Sequence, residues 1–351
     1  MLVLLWGPWA VWLAAGLNGS GAAGPLELAA LAWSLFLTSH ALLEGRWWLW
    51  LLPALVPPPL LIAVPALLVV AGLASGIRSD GMVVPLAVSA LLAALPQCGL
   101  NTHALRRRVS GGRGVEVVVW NTEHWNQHQH DTSAMYEFLR GLGADVYLLQ
   151  EYCHLIGDDV RPIDDEAQLD AAFPGYHRVI KGQLVTLSRF PVVAVPDLAA
   201  ADLLRVDLQV APGAVLSTYS VHVPVPLLLV SPFSARFYDE IRTRRAERNR
   251  HFEVLLHDLH RNANPALVSG DLNASPVMLD SARLASALTD AISANRNLFP
   301  VSWHARTPGL RLWRLDWTFV SRQVRPLRYT FLDPGPTSDH RAQRLTLAVA
   351  G

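Results

Sequence analysis

SGDLNASP (269–276) follows the apolar run PALV and closes on a proline. This pattern reads as a buried strand that breaks into a turn. Two polar side chains, Asp271 and Asn273, stand two residues apart where the strand leaves the core. A carboxylate and a carboxamide at such a point are ordinary turn formers when taken alone. What changes their reading is where the other polar residues of the chain fall.

From Val115 onward the chain alternates short apolar runs with helical patterns. Strands are predicted at VEVVVW (115–120), DVYLLQ (145–150), QLVTLS (183–188), LLRVDLQV (203–210), AVLSTYSV (214–221), PALVSG (265–270), LDWTFVS (315–321) and QRLTLAV (343–349). Met135, Phe138, Leu139 and Leu142 recur at helical spacing, with Asp131 or Thr132 as N-cap and Gly143 just past the end. Phe252, Leu255, Leu256 and Leu259 mark a second helix whose other faces carry arginines. Asn121, Glu151 and His222 end the first, second and fifth strands, and Asp271 and Asn273 end the sixth. Asp316, Asp339 and His340 stand at the starts of the last two. If those two run antiparallel to the others, all these groups meet at one rim.

The first hundred residues belong to a different solvent. They hold two basic and three acidic side chains, Arg46, Arg78, Glu27, Glu44 and Asp80, which leaves 27 of the 29 basic and 26 of the 29 acidic residues to 101–351. Charge-free stretches run from Trp47 to Ile77 and from Gly81 to Leu105, and spans are predicted at Pro58–Ala74 and Met82–Leu100. Residues 28–43 form a third, shorter candidate. Met1–Leu17 lacks the basic n-region of a signal peptide and reads as a fourth span or an interfacial helix. Residues 1–105 are thus expected to be a membrane region of three to four helices, 106–114 (RRRVSGGRG) a linker, and 115–351 a catalytic domain. The two cysteines, Cys98 and Cys153, suggest neither a disulfide framework nor a zinc site.

The motifs WNTE (120–123), QE (150–151), LSRFP (187–191), VHVP (221–224), GDLN (270–273), LDW (315–317) and SDH (338–340) resemble, in order and spacing, those of the endonuclease/exonuclease/phosphatase superfamily. The membrane segments ahead of this domain resemble the VanJ-like bacterial membrane proteins associated with glycopeptide resistance. The resemblance implies a four-layer α/β sandwich, two packed mixed sheets flanked by helices, that hydrolyses phosphate esters with Mg²⁺ or Mn²⁺. It makes Glu151 the principal metal ligand, with Asn121 beside it, Asp339 reaching toward the metal and Glu123 where some relatives carry an acidic neighbour. It gives Asp271 the attacking water, Asn273 a phosphate oxygen, His340 and His222 the phosphate, and Asp316 the orientation of His340. Trp317 departs from the histidine or tyrosine that many relatives carry after the LD aspartate.

The chemistry fits these residue types. An anionic phosphate repels an anionic nucleophile until a hard cation on carboxylates spreads the charge. Asp271 offers a proton acceptor, and Asn273 a hydrogen-bond donor that adds no repulsion. HWNQHQHD (124–131) reads as a polar rim loop rather than a histidine metal tract, and the arginines between Arg236 and Arg250 as a solvated helix face. The expected function is hydrolysis of a lipid phosphate or pyrophosphate such as a polyprenyl carrier, with the bilayer and that substrate as partners. VPVPLLLVSPF (223–233) would touch a lipid tail. The alternatives are a Mg-dependent nuclease, which the near-neutral charge of 101–351 disfavours, and a non-catalytic resistance module. Sidedness stays open: the arginines at 106–108 point to the cytoplasm, whereas the subgroup resemblance points outward.

Overall fold

The alternation along Val115–Asn121 decides which way the first strand faces. Val117 and Val119 enter one apolar core, Val118 and Trp120 another, so this strand is covered on both sides. A computed structural model describes residues 24–74, 82–105, 112–128, 131–157, 159–227, 231–305 and 311–350. Its strands are β1 Val115–Asn121, β2 Val146–Gln150, β3 Cys153–Ile156, β4 Asp159–Pro162, β5 His177–Lys181, β6 Leu184–Ser188, β7 Val192–Ala194, β8 Leu203–Ala211, β9 Ala214–His222, β10 Ala266–Asp271, β11 Thr289–Asp290, β12 Trp303–His304, β13 Arg311–Trp313, β14 Asp316–Val320, β15 Val324–Leu332 and β16 Ala342–Val349.

Two six-stranded mixed sheets result, ordered β15-β16-β1-β2-β6-β5 and β11-β14-β10-β9-β8-β7. Side chains of both sheets share one core: Val117, Val119, Val146 and Leu148 from the first meet Leu204, Val206, Leu216 and Leu267 from the second. The helix Ser133–Leu142 covers the outer face of the first sheet with Met135 and Leu139. Its end is set by Gly143, whose φ of 57° supplies the left-handed cap. The helix Ala235–Arg261 meets the outer face of the second sheet through Asp258, which accepts from Tyr219 and Arg205. The parallel pairs β1/β2 and β9/β10 send their C-terminal ends to one edge, and β14 and β16 run antiparallel to β10 and β1. Those two therefore begin where the others end, as the sequence expectation required.

Gly270 allows this edge to close. A Cβ there would lie 1.9 Å from the Val221 carbonyl oxygen, so only glycine lets β10 lie this tightly against β9.

The chain divides into two units. The second holds Asn101–Ala274 and Asp280–Gly351, and the first holds residues up to Leu100 together with Ser275–Leu279. In the first unit, helices run over Pro25–Leu43, Pro58–Ala74 and Val83–Ala94. The expected span Met82–Leu100 is cut short: its helix has 12 residues, about 18 Å of rise, against roughly 30 Å of hydrocarbon. Pro96 follows its end. Among the described residues, the helix long and apolar enough to cross a bilayer is Pro25–Leu43, which hydropathy alone made the shorter candidate. Pro58–Ala74 would count with it only if joined to Trp48–Ala54 across a 66° bend. Met1–Leu17 and most of the linker fall outside the described residues.

Several polar side chains of this unit are bonded inside it. Trp50 donates to His40 Nδ1 at 2.9 Å, which leaves His40 Nε2 as the donor to the Val277 carbonyl, also 2.9 Å away. Glu44 accepts from the backbone N–H of Leu279 at 3.0 Å. The short segment Ser275–Leu279, which continues the GDLN stretch, is thereby held among the helices, with Val277 in their apolar cluster.

Gly270→Ala is expected to destabilise the protein by about 3 kcal/mol or more, since the clash is with backbone. Gly141→Ala, in an exposed helix position with nothing within 4 Å of the new methyl, should be neutral or stabilising by about 0.5–1 kcal/mol. Denaturation midpoints of the two variants, measured side by side, check the pair.

Candidate active site

The shared sheet edge gathers the polar residues that the sequence distributes over 220 positions from Asn121 to His340. Asn121, buried at the end of β1, donates through Nδ2 to Glu151 Oε1 at 2.9 Å and to Asp271 Oδ2 at 3.2 Å. It is the bridge between two carboxylates. His222, at the end of β9, places Nε2 3.5 Å from Glu151 Oε1 and 4.0 Å from Asp271 Oδ2. Asp316 opens β14 and accepts from His340 Nδ1 at 2.8 Å. The other ring nitrogen, Nε2, lies 3.7 Å from Asp271 Oδ2 and 3.8 Å from Asp339 Oδ1. Glu123 accepts the backbone N–H of Asp339 at 2.9 Å. Asn273 closes the group: its backbone donates to Asp271 Oδ1 at 2.7 Å and its Nδ2 to the Val223 carbonyl at 3.0 Å, leaving one amide proton uncommitted.

All nine expected residues thus lie in one hydrogen-bonded and ion-paired neighbourhood. Backbone geometry holds several of them in place. Among the described residues, the non-glycine positions with positive φ are Glu123, His124, Trp125, Asn126, Glu151 and Asn273, all with φ between 46° and 63°. Every one of them is at this site or in the turn beside it. The left-handed turn 123–126 brings His124 over Glu151: its N–H donates to Oε2 at 2.8 Å and its Nδ1 lies 3.1 Å from the same oxygen.

His124 is a residue the sequence reading passed over, because it stands in a tract taken for a loop rim. Trp303 is another. Its Nε1 donates to Asp339 Oδ2 at 2.7 Å, and no strand pattern marks it, since β12 has two residues. Ser302 next to it donates nothing visible in the sequence, yet its hydroxyl accepts the N–H groups of Leu315 and Asp316 and so fixes the start of β14.

Burial and charge set the proton affinities. Burial pushes Asp271 up to about 6, opposed by His340 and His222 and assisted by Asp316. For His340 burial would disfavour the cation, but the carboxylates of Asp316, Asp271 and Asp339 outweigh it and raise the imidazolium well above its ordinary value. Glu151 is the reverse case: burial would raise it, and the surrounding His222, His124 and Asn121 bring it below the usual carboxylate range. Glu123 is raised by burial and then by the Asp339 carboxylate.

These directions bear on metal binding. The side of the site formed by Glu151, Glu123 and Asp339 offers hard oxygen donors, and the crowding that raises Glu123 is relieved by a cation. The donor set therefore fits Mg²⁺ or Mn²⁺. Asp271, Asp316 and His340 also have ligand atoms within 4.8 Å of one another. There His340 Nδ1 is engaged by Asp316, which leaves Nε2 as the ring's ligand atom.

Several arginines of the helix Ala235–Arg261 pair within it or with its neighbours. Arg248 is buried against Asp280, Arg244 lies 3.7 Å from Glu240 and Arg242 3.6 Å from Asp239.

A family model described as the Endonuclease/Exonuclease/phosphatase family matches residues 118–340. Among solved structures, an endonuclease/exonuclease/phosphatase from Beutenbergia cavernae is similar at 16% identity, over 68% of this chain and 72% of that one, with a TM-score of 0.49. A mannosyl-6-phosphatase from Bacteroides thetaiotaomicron is similar at 14% identity over 67% and 99% of the two chains, TM-score 0.47. The human Nocturnin catalytic domain with bound sulfate is similar at 15% identity over 68% and 94%, TM-score 0.47. No curated protein matches the chain.

Asp316→Asn should lower the proton affinity of His340 at least about tenfold, because it removes the carboxylate that holds Nδ1. Titration of the His340 ring by NMR reads this directly; an unchanged midpoint would contradict the charge assignment.

Proposed function

The chain belongs to the endonuclease/exonuclease/phosphatase family, and on that footing we propose that it is a membrane-anchored, divalent-metal-dependent phosphohydrolase acting on a lipid phosphate or pyrophosphate. The observation that carries the hydrolase reading is the buried Asp316–His340–Asp271 row beside Glu151. It sets a protonated imidazole, a carboxylate of raised proton affinity and a low-affinity carboxylate within one phosphate's reach.

A cation held by Glu151, with Glu123, Asp339 and Asn121 around it, would supply Lewis-acid stabilisation to the phosphoryl oxygens. The protein's own groups do the rest. Asp271 takes the proton of a water as its oxygen bonds to phosphorus and the ester oxygen departs. With an affinity near 6 it is ionised at neutral pH and still basic enough to act. His340, kept cationic by Asp316, faces the charge that builds on the phosphoryl group. His222 and the remaining amide proton of Asn273 donate to the phosphoryl oxygens without adding negative charge.

The lipid part of the proposal rests on the first unit and its surface. Leu67, Val70 and Leu73 on the helix Pro58–Ala74 are 68%, 62% and 68% exposed, a surface that lipid would cover. Phe233 is 98% exposed in the stretch after His222, although residues 228–230 of that stretch are outside the described set. The pairing of Arg242, Arg244 and Arg248 with carboxylates reduces the free positive charge that the helix Ala235–Arg261 offers to a polynucleotide backbone. We further read the two sheets with their covering helices as four layers.

Glu151→Gln is expected to reduce metal-dependent phosphate release at least about 10³-fold while leaving the fold intact. In detergent, polyprenyl pyrophosphate should be turned over with Mg²⁺ or Mn²⁺ and plasmid DNA left unnicked; rapid nicking without lipid turnover reverses the substrate assignment. Since Asp271 must be deprotonated to act, kcat/KM should fall as pH drops through about 6 and fall again at alkaline pH as His340 loses its proton. Asp271→Asn removes the acid limb together with most of the activity.

A further inference from the structure

The left-handed turn Glu123–Asn126 bonds to two metal-facing residues that lie far apart in the chain. Glu123 accepts the backbone N–H of Asp339 at 2.9 Å. His124 engages Glu151 Oε2 through its backbone N–H at 2.8 Å and its Nδ1 at 3.1 Å. One short turn therefore links the residue just after β2 to one just ahead of β16. It does so in a conformation that residues with a Cβ avoid, with φ between 51° and 56° at all four positions. Such backbone persists only where its surroundings hold it.

The ends of the turn are tied locally. Thr122 Oγ1 donates to the Gln150 carbonyl at 2.9 Å and accepts the Trp125 N–H at 3.3 Å, and the Gln127 side chain bonds both the N–H and the carbonyl of Leu155 in β3. The middle is held by an indole. Trp125 is 1% exposed, with its ring edge-on to Tyr152 and Tyr136 at centroid distances of 4.6 Å and 6.3 Å. Its Nε1 donates to Asp165 Oδ2 at 2.7 Å. The Tyr136 hydroxyl donates to the same oxygen, and burial together with that carboxylate pushes the phenol up, so it stays a donor. Tyr152, next to Glu151, accepts the Asp165 N–H at 2.6 Å.

Asp165 stands at the N-cap of the helix Glu166–Ala172, where an aspartate ordinarily bonds the first free N–H groups of its own helix. Its side chain makes no such bond. The carboxylate faces the indole and the phenol instead.

We propose that Trp125 and Asp165 are a positioning pair for the divalent ion: their bond, outside the site, holds the turn that presents Glu123 and His124 to Asp339 and Glu151, and so sets the affinity for the metal. Neither residue belongs to the donor set. This rests on the metal-dependent reading for what the turn serves. Without the bond the turn relaxes toward ordinary backbone, which withdraws His124 from Glu151 and Glu123 from Asp339.

The test is Mn²⁺ binding to the full chain in detergent, followed by the EPR signal of the free ion with no substrate present. Trp125→Phe keeps a packing ring and removes the indole donor; Asp165→Ala removes the acceptor. Each should raise the Mn²⁺ Kd about tenfold or more. Asp165→Asn, which retains a carbonyl oxygen for the indole, should stay within about threefold of the unmodified protein. Tyr176→Phe is the control: it removes the bond from Tyr176 to the Ala144 carbonyl in the same apolar cluster without touching the turn, and should leave the Kd within about twofold. An unchanged Kd in either Trp125→Phe or Asp165→Ala, with circular dichroism showing a folded chain, overturns the proposal. A loss in Tyr176→Phe or Asp165→Asn as large as that in Asp165→Ala also overturns it. If Asp165→Ala does not fold, Trp125→Phe decides alone. Those results leave the phosphohydrolase standing, whereas undetectable Mn²⁺ binding by the unmodified protein at millimolar concentration refutes the metal-dependent reading and the role of the pair with it.

Discussion

Several carboxylates buried at one dry edge cannot all stay ionised unless positive charge is set between them. Glu151, Asp271 and Asp316 make that edge, and His340, His222 and His124 are interleaved with them at 2.8–4.0 Å. The consequence is an unequal distribution of protons. Glu151, surrounded by two imidazoles and an amide, ionises readily; Asp271, fully buried and beside the Asp316 carboxylate, holds its proton more tightly; His340 is trapped as the cation by Asp316. One charge constraint therefore produces three chemically different groups, and such separation of proton affinities is what acid–base chemistry at neutral pH requires.

Chain direction makes the arrangement possible. A purely parallel sheet would bring only C-terminal strand ends to the edge. Here β14 and β16 enter antiparallel, so residues at strand beginnings, Asp316 and His340, meet residues at strand ends, Asn121, His222 and Asp271. The close approach at Gly270 lets β10 lie against β9 in the register that pairs Asp271 with His222. Positioning also costs backbone energy. Left-handed conformations at Glu123, His124, Trp125 and Glu151 carry roughly 1–2 kcal/mol each for residues with a Cβ. The two-sheet core has to offset that cost, so a stable scaffold and a strained edge are parts of one design.

What was legible in the sequence follows from the same physics. Central strands are buried on both faces, and their runs of valine and leucine gave β1, β2, β6, β8, β9, β10, β14 and β16 to within a residue or two. In the two six-stranded sheets the strands that escaped were β5, β7, β11 and β15, and each is an edge. Edge strands face water on one flank and tolerate what centres cannot. β15 carries three arginine or proline positions at 325, 326 and 328 and shifts register at Pro326. The helical region misled for a related reason: hydropathy counts apolar residues without seeing where a helix stops, and the run from Met82 ends its helix at Ala94. At the site, motif residues were legible because they lie at strand ends. His124, Ser302 and Trp303 were not, because a left-handed turn and a two-residue strand have no periodic signature.

The residues that escaped notice share one property: each acts on a motif residue through directed bonds. His124 engages Glu151, Ser302 holds the backbone of Asp316, and Trp303 binds Asp339. The motif side chains alone therefore fix which reaction class the edge can host, while these partners fix how each side chain is presented and what stands beside it. Trp303 is the sharpest case. The indole nitrogen that orients Asp339 belongs to a ring that also packs beside His340, so the orientation of that carboxylate and the surroundings of the imidazole are not independent. A change in that ring would alter both together.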